Sequence, residues 1–373
     1  MKPANILLFL LLASSLVPAQ GRSSGPSVTG APSQVVGTYS IVGWDSLTGD
    51  LGIAVQSKFL GVGAVVPFAK AGVGAIATQA FANTTYGPEG LRLLEQGLNP
   101  QFVIEGLTKP DSGASRRQVG IVDAQGNSFA YTGTGCQQYA GHITGRGYSV
   151  QGNILAGEGV IKAMARTFEM TTGTLAERLI SALEAGEKAG GDKRGRQSAA
   201  LLVVRDKGGY GGFNDRFIDI RVDDNPTPLP ELRRLLSLWQ QTFLLDAQMR
   251  SLDMFNQKKN FTASRQTIQD IANSVNALLR EKPDDPDVLN SIAWTLASNE
   301  IDNVRALDLA KRAVRLKPDD LNFLDTLAEC HFHLGHFDEA IAIESQLVAK
   351  DPANDGFWKQ LQKFKERKSK EGR

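Results

Sequence analysis

Cysteine is almost missing from this chain of 373 residues: Cys136 and Cys330 are the only two. Two cysteines so far apart give neither a disulfide framework nor a zinc spacing, and both read as small buried side chains. Net charge is scarce as well, since 41 Lys and Arg oppose 40 Asp and Glu. That balance gives no electrostatic ground for a nucleic acid or an anionic membrane surface as partner. Of 4 histidines, only His142 precedes the C-terminal region. A Ser-His-Asp triad would have to use it, and no G-x-S-x-G elbow accompanies it, so His142 reads as structural or surface-lying. No G-x-x-x-x-G-K-[ST] occurs, and Gly61 with Gly63 lacks the later positions of a dinucleotide fingerprint. His331, His333 and His336 do not have i, i+4 spacing, so no metal site is expected, and nothing demands a cofactor.

Long apolar runs are also lacking. The one candidate is Ile6 to Leu16, which follows Lys2 and precedes Val17-Pro18-Ala19-Gln20. It falls short of the ~18 apolar residues of a spanning helix. A positive start, a short apolar core and small residues at −3 and −1 read as a signal peptide over residues 1–19, cut after Ala19. The chain is therefore expected to be exported, to the periplasm or outside the cell, with no membrane span after signal removal. The Gly-, Ser- and Pro-rich residues 20–37 read as a flexible leader.

The scarcity that divides the chain is late glycine. Of 38 glycines, only Gly335, Gly356 and Gly372 follow Gly212. Glycine suits turns and close backbone approaches, and its absence suits helices. Residues 38–225 show strand patterns at Thr38 to Val42, Leu51 to Lys58, Gly63 to Pro67, Gly72 to Gln79, Gln118 to Val122, Ser128 to Tyr131, Ala199 to Arg205 and Phe217 to Val222. Helices fit Pro88 to Gln96, Pro100 to Leu107, Val160 to Phe168 and Thr174 to Lys188. Strands and helices come in blocks without regular βαβ alternation, so the first domain is expected to be a layered α+β fold. Pro226, Pro228 and Pro230 mark a boundary. A connecting helix is expected within 226–260, over Glu231 to Asn256. Ala272, Ala306 and Ala340 then recur every 34 residues, as do Pro318 and Pro352, which suits stacked helix pairs over 261–355. Residues 356–373 read as a charged tail, whose Lys- and Arg-rich part after Lys363 is a frayed, solvated end.

Several stretches carry a family resemblance: TYSIVGWDSLTGDLGIAVQSKF from Thr38, VGAIATQAFANTTYGPEGL from Val73, RQVGIVDAQG from Arg117, QGNIL from Gln151 and AGGDKRGRQSAALLVVR from Ala189. In this order they resemble domain-of-unknown-function family 1028 over residues 38 to about 224. That family is similar in fold to the N-terminal-nucleophile hydrolases, so the resemblance implies a four-layer αββα domain. HLGHFDEAIAI from His333, with Lys350-Asp351-Pro352, resembles a tetratricopeptide repeat. By analogy the first resemblance implies hydrolysis of an amide bond in a small molecule or peptide. The repeats imply a protein partner or self-association.

Such chemistry needs a hydroxyl with a base beside it, and a chain-terminal threonine has both, since its own α-amine takes the proton. Thr38 is that residue if the chain is cut at Gly37-Thr38, a junction similar to the self-cleavage site of proteasome β subunits. A hairpin turn centred on Thr48 sets Thr38 across from Lys58, or from Ser57 after a slip of one residue. Lys58 then either favours the neutral amine, or itself serves as base in an uncut chain, or only ends an edge strand as a solvated charge. Gln79, Asn83 and Asn153 read either as oxyanion donors or as turn and loop hydrogen bonders. Asp192, Arg194 and Arg117 either order the amine and hold a substrate carboxylate, or form structural ion pairs. A non-catalytic scaffold on the same fold, with the repeats recruiting a protein, is the alternative.

Overall fold

The computed structural model describes residues 37–371. The expected signal peptide and all of the leader but Gly37 lie outside them. The first part of the chain is rich in sheet and the last part is all helix. Ten strands form two antiparallel sheets. In chain order they are β1 (Thr38–Trp44), β2 (Leu51–Ser57), β3 (Pro67–Lys70), β4 (Gly74–Ala80), β5 (Arg117–Asp123), β6 (Ser128–Thr132), β7 (Gly141–Gly145), β8 (Tyr148–Asn153), β9 (Ser198–Val204) and β10 (Arg216–Val222). One sheet has the order β10-β9-β2-β1-β8-β7 and the other β3-β4-β5-β6. The same part of the chain holds the helices α1 (Tyr86–Glu95), α2 (Pro100–Thr108), α3 (Gly159–Met170) and α4 (Leu175–Lys188).

Strand alternation decides what faces what. On β1, Tyr39 and Ile41 pack with Met164, Phe168 and Leu179 of α3 and α4. Val42, one step out of phase, packs with Ala75 and Val122 of the other sheet. On that second sheet Ile76, Val119 and Ile121 meet Tyr86, Val103 and Ile104 of α1 and α2. Helices thus cover the outer face of each sheet, and the inner faces meet. Thr38 and Ser40 share the phase of Val42, Ser57 that of Val55, Gln79 that of Ala77, and Gln118 that of Val122. One end of the inter-sheet layer is therefore apolar and the other polar.

Most expected elements form, with shifted ends. Residues 62–64 make a 3-10 turn, so strand begins only at Pro67. The hairpin β7–β8, not expected from the sequence, supplies β1 with its second neighbour. Its glycines and polar residues hide the alternation that marks the other strands.

The connecting helix is α5 (Pro228–Trp239), a π-helical turn over Gln240–Leu244, and α6 (Leu245–Gln257). Leu229, Leu232 and Leu236 of α5 dock against Phe217, Ile218 and Val222. Each such burial contributes about 1.5–3 kcal/mol. Then come α7 (Phe261–Glu281), α8 (Pro286–Ser298), α9 (Asn303–Leu316), α10 (Leu321–His333), α11 (Phe337–Lys350) and α12 (Asp355–Glu371). Ala306 and Ala340, both fully buried, occupy matching places in α9 and α11. The charged tail is helical as far as Glu371, while its residues after Phe364 are exposed, as a solvated end is. It forms α12, because Phe357, Leu361 and Phe364 recur at helical spacing and are buried. Among the described residues no helix is long and apolar enough to cross a membrane.

Candidate active site

Thr38 opens β1 between β2 and β8, facing Ser57 on one side and Asn153 on the other. The register is thus the one slipped from the Lys58 pairing. Lys58 falls out of phase with Thr38 and Ser57, and its side chain is exposed while its backbone N–H donates to Asp192 Oδ2 at 3.3 Å. No sheet position brings its ammonium opposite Thr38, because successive side chains point to opposite faces.

Thr38 itself is buried. Its hydroxyl donates to Ser57 Oγ at 3.1 Å, and the Ser57 hydroxyl donates to the carbonyl oxygen of Gly37. Arg194 Nη2 donates to the same oxygen at 2.7 Å. Arg194 is held in turn by Asp192, whose Oδ2 accepts from Nη2 at 2.6 Å and whose Oδ1 accepts from Nε at 3.1 Å. Asp192 is buried, which makes this two-pronged pair a rigid support. A Cβ on residue 37 would come within 2.3 Å of Arg194 Nη2, so only glycine lets the guanidinium reach this carbonyl. Next to the group, burial first, with Glu187 and Asp192 adding, holds the Tyr39 hydroxyl far above the usual phenol range, so it stays neutral.

Behind Thr38 the facing sheets exchange hydrogen bonds. Gln79 Oε1 accepts from Ser40 Oγ at 2.6 Å, and Gln79 Nε2 donates to Gln118 Oε1 at 2.8 Å. Gln118 Oε1 also accepts from Asn153 Nδ2 at 3.0 Å, and Gln118 Nε2 donates to the Gly152 carbonyl at 2.8 Å. Gln151 Nε2 donates to Ser40 Oγ at 2.7 Å, and Ser149 Oγ to Gln151 Oε1 at 2.7 Å. Gly120 makes room for this: a Cβ there would lie 2.0 Å from Gln151 Oε1. Asn153 Oδ1 is buried with no partner among the described residues, although such an orphan costs about 1–3 kcal/mol. Ala80 and Ile154, which directly follow Gln79 and Asn153, have φ of 67° and 55°. Left-handed backbone at a β-branched residue is costly and concentrates at functional sites.

Of the residues expected at the site, Thr38, Ser57, Gln79, Asn153, Asp192 and Arg194 come together, and Lys58 touches them only through its backbone. Asn83 and Arg117 lie in another cluster. Arg117 Nε donates to Asp111 Oδ2 at 2.9 Å, Tyr86 OH does so at 2.8 Å, and Asn83 Nδ2 at 3.3 Å. The Arg117 bond, first among these contacts, holds Asp111 well below the usual carboxylate range, while burial and the bond to Asp111 raise Tyr86. Asn83 Oδ1 accepts from the Thr85 N–H at 3.2 Å, an Asx turn leading into α1. His142 lies on β7 with Nδ1 2.9 Å from Thr132 Oγ1, and the partial burial of its ring lowers its pKa.

Sequence reasoning missed Ser40, Gln118, Ser149 and Gln151. Strand phase marks two of them, since Ser40 shares a face with Val42 and Gln118 with Val122; on β8 the inward face is wholly polar, Ser149, Gln151 and Asn153, and offered no apolar phase to read.

Comparison with known proteins fits this division of the chain. Residues 300–363 match the tetratricopeptide repeat family. No curated protein matches the chain. The crystal structure of a Silicibacter pomeroyi protein described as belonging to family DUF1028 is similar, at 31% identity and a TM-score of 0.51, over 56% of this chain and 92% of that one. Residues 38–232, the sheet-rich part with Thr38 at its head, match the family described as "Family of unknown function (DUF1028)", and the chain belongs to it.

Proposed function

We propose that the sheet-rich part is an exported amide-bond hydrolase of the N-terminal-nucleophile type. In this reading Thr38 first cuts its own Gly37-Thr38 bond and then acts on a small amide or peptide. The observation that carries it is the pair of donors, Arg194 and Ser57, on the Gly37 carbonyl oxygen, with Ser57 also accepting from the Thr38 hydroxyl. The helix-sheet-sheet-helix layering supports the kinship by fold analogy.

The cut runs as an acyl shift. Thr38 Oγ1 forms a bond to the Gly37 carbonyl carbon, and its proton passes to Ser57 while Ser57 passes its own to the Gly37 oxygen. Arg194 stabilises the charge that develops there. As the carbonyl reforms, that proton moves on to the Thr38 nitrogen and the C–N bond breaks, leaving an ester. Water hydrolyses the ester to a Gly37 carboxylic acid and a Thr38 with free amine and hydroxyl.

Thr38 is buried with its nitrogen still in the Gly37-Thr38 peptide bond, so in this reading the cut precedes any attack on an outside amide. The freed α-amine, with a pKa near ~7.7–8.0, is neutral in useful proportion at pH 7 and serves as the base. The orphaned Oδ1 of Asn153, the cross-strand partner of Thr38, is an acceptor suited to orient that amine. Ser57 and Arg194 then serve the carbonyl oxygen of the substrate. The helical repeats supply a surface for a protein partner.

Intact mass and N-terminal sequencing of the mature protein test the reading. A chain that begins at Thr38, with Thr38→Ala keeping its leader, is the expected result. A stable wild-type chain beginning at Gln20 overturns it.

A further inference from the structure

A cleft of about 610 Å³ lies at the closed end of the β1–β2 hairpin, away from Thr38, where the turn residues Asp45 to Asp50 face the π-helical turn and α7. That volume is ordinary for a small-molecule site. Among the described residues its walls carry Asp45, Asp50, Glu177, Asp270 and Glu281, and one cation, Arg205. Arg205 is taken up by Asp50, with bonds of 2.7 and 2.6 Å, and by Ser251 at 2.7 Å. Arg178 stands 3.7 Å from Asp45 just outside. Counting both arginines against the five carboxylates leaves three negative charges in excess. The N-terminus of α4 adds roughly half a positive charge at Thr174, and Glu177 sits in that first turn.

A concentration of acids alone is a solvated surface. Here a second feature singles out the cleft. Gln248, on α6, is only 6% exposed and lines it, and its Oε1 has no hydrogen-bond partner among the described residues. Glu177 accepts one bond, from Gln240 at 3.2 Å, and Asp270 one, from Gln266 at 2.9 Å, so both carboxylates keep accepting capacity. Gln240 and Gln241 reach the cleft from the π-helical turn, a distortion often kept where a helix serves a ligand. The surplus is of acceptors and negative charge, and the complement is a ligand rich in N–H donors and positive charge.

We propose that this cleft binds a small organic polycation, a linear amine with two or more ammonium groups, held by Glu177, Asp270 and the Gln248 carbonyl. A compact cleft of this size suits a free polyamine better than a long basic peptide.

Titration calorimetry of the full mature chain with spermidine tests this, with a lysine-rich peptide as a second arm. Saturable spermidine binding is expected, weakened at least about tenfold by Glu177→Gln and by Asp270→Asn, the loss of one charge-assisted contact. Gln248→Leu, which removes the orphaned acceptor, is expected to weaken binding without lowering the melting temperature. Absence of saturable heat with spermidine overturns the proposal, as does binding that survives all three substitutions. Binding of the peptide without binding of spermidine overturns it too, and gives the cleft to a protein segment. Processing at Thr38 plays no part in these readouts.

Discussion

Replacing Ser57 by alanine separates chemistry from packing at the Gly37 carbonyl. The wild-type oxygen has two donors, the Ser57 hydroxyl and Arg194 Nη2 at 2.7 Å. Removing one donor from a preformed oxyanion site slows reaction by about 10²–10³, or about 3–4 kcal/mol of barrier. Ser57→Ala also breaks the path by which the Thr38 proton reaches that oxygen, so the upper part of the range is expected. The assay is the intact mass of freshly purified precursor, followed over time as the leader is lost. Thermal melts confirm that the variant is folded, since losing one buried hydrogen bond costs only about 1–3 kcal/mol of stability. Arg194→Lys is the companion. A single ammonium cannot keep the two-pronged grip on Asp192 and still reach Gly37, so it too should slow the cut. A folded Ser57→Ala precursor that is cleaved at the wild-type rate would refute the assignment of these donors, whatever becomes of Thr38.

Two further outcomes concern stability. In the helical region Glu344 is fully buried, and as ionised groups its oxygens find no donor; a bond to Asp325 exists only when the two share a proton. Burial, with Asp325 and Glu329 adding, pushes Glu344 up to about 8, and burial pushes Asp325 up to about 6, against the nearby ammonium of Lys363. These are raised carboxyl values, so the folded state holds more protons than the unfolded one above about pH 4, and the stability present at low pH is lost as pH rises toward 8. Calorimetric melts should therefore drop across that window in the wild type and flatten in Glu344→Gln; a wild-type melt that does not fall would contradict the shared proton. At the sheet interface, Gly120→Ala puts a Cβ 2.0 Å from Gln151 Oε1 and should cost about 1–3 kcal/mol in urea unfolding. Shortening the obstacle with Gln151→Ser should recover part of it, and additive losses would disprove the clash.

The layered part was legible because its signals are local. Thr174, expected near the start of a helix, is the N-cap of α4 and accepts from Glu177 N–H at 3.4 Å. Register was less legible. A turn centre misjudged by half a residue exchanged Ser57 for Lys58, and in a strand that exchange reverses the face. Asn83 and Arg117 looked like site residues because they sit inside matching motifs, yet which partner a polar side chain finds depends on tertiary approach. The tail showed the opposite fault: its basic composition concealed Phe357, Leu361 and Phe364 at helical spacing. The cleft at the hairpin turn was invisible, since its walls come from segments more than two hundred residues apart, such as Asp45 and Asp270.

Two polar clusters flank the second sheet, and their saturation tells them apart. Asp111 is the hub of one, with bonds from Arg117, Tyr86 and Asn83 and from the Gly113 N–H at 2.7 Å. Its carboxylate is well supplied with donors, and the backbone around it has ordinary φ; such a cluster stabilises a corner and has nothing left to offer a ligand. The Thr38 cluster is built differently. It retains a buried acceptor without a donor at Asn153, it is flanked by left-handed residues at Ala80 and Ile154, and its donors converge on a peptide carbonyl instead of on a side chain. The orphaned acceptor and the left-handed residues cost stability, and neither is needed where the sheets meet through valine and alanine at the other end. All of these features lie at one strand end, around the Gly37-Thr38 bond, the bond that the proposed function has Thr38 cut.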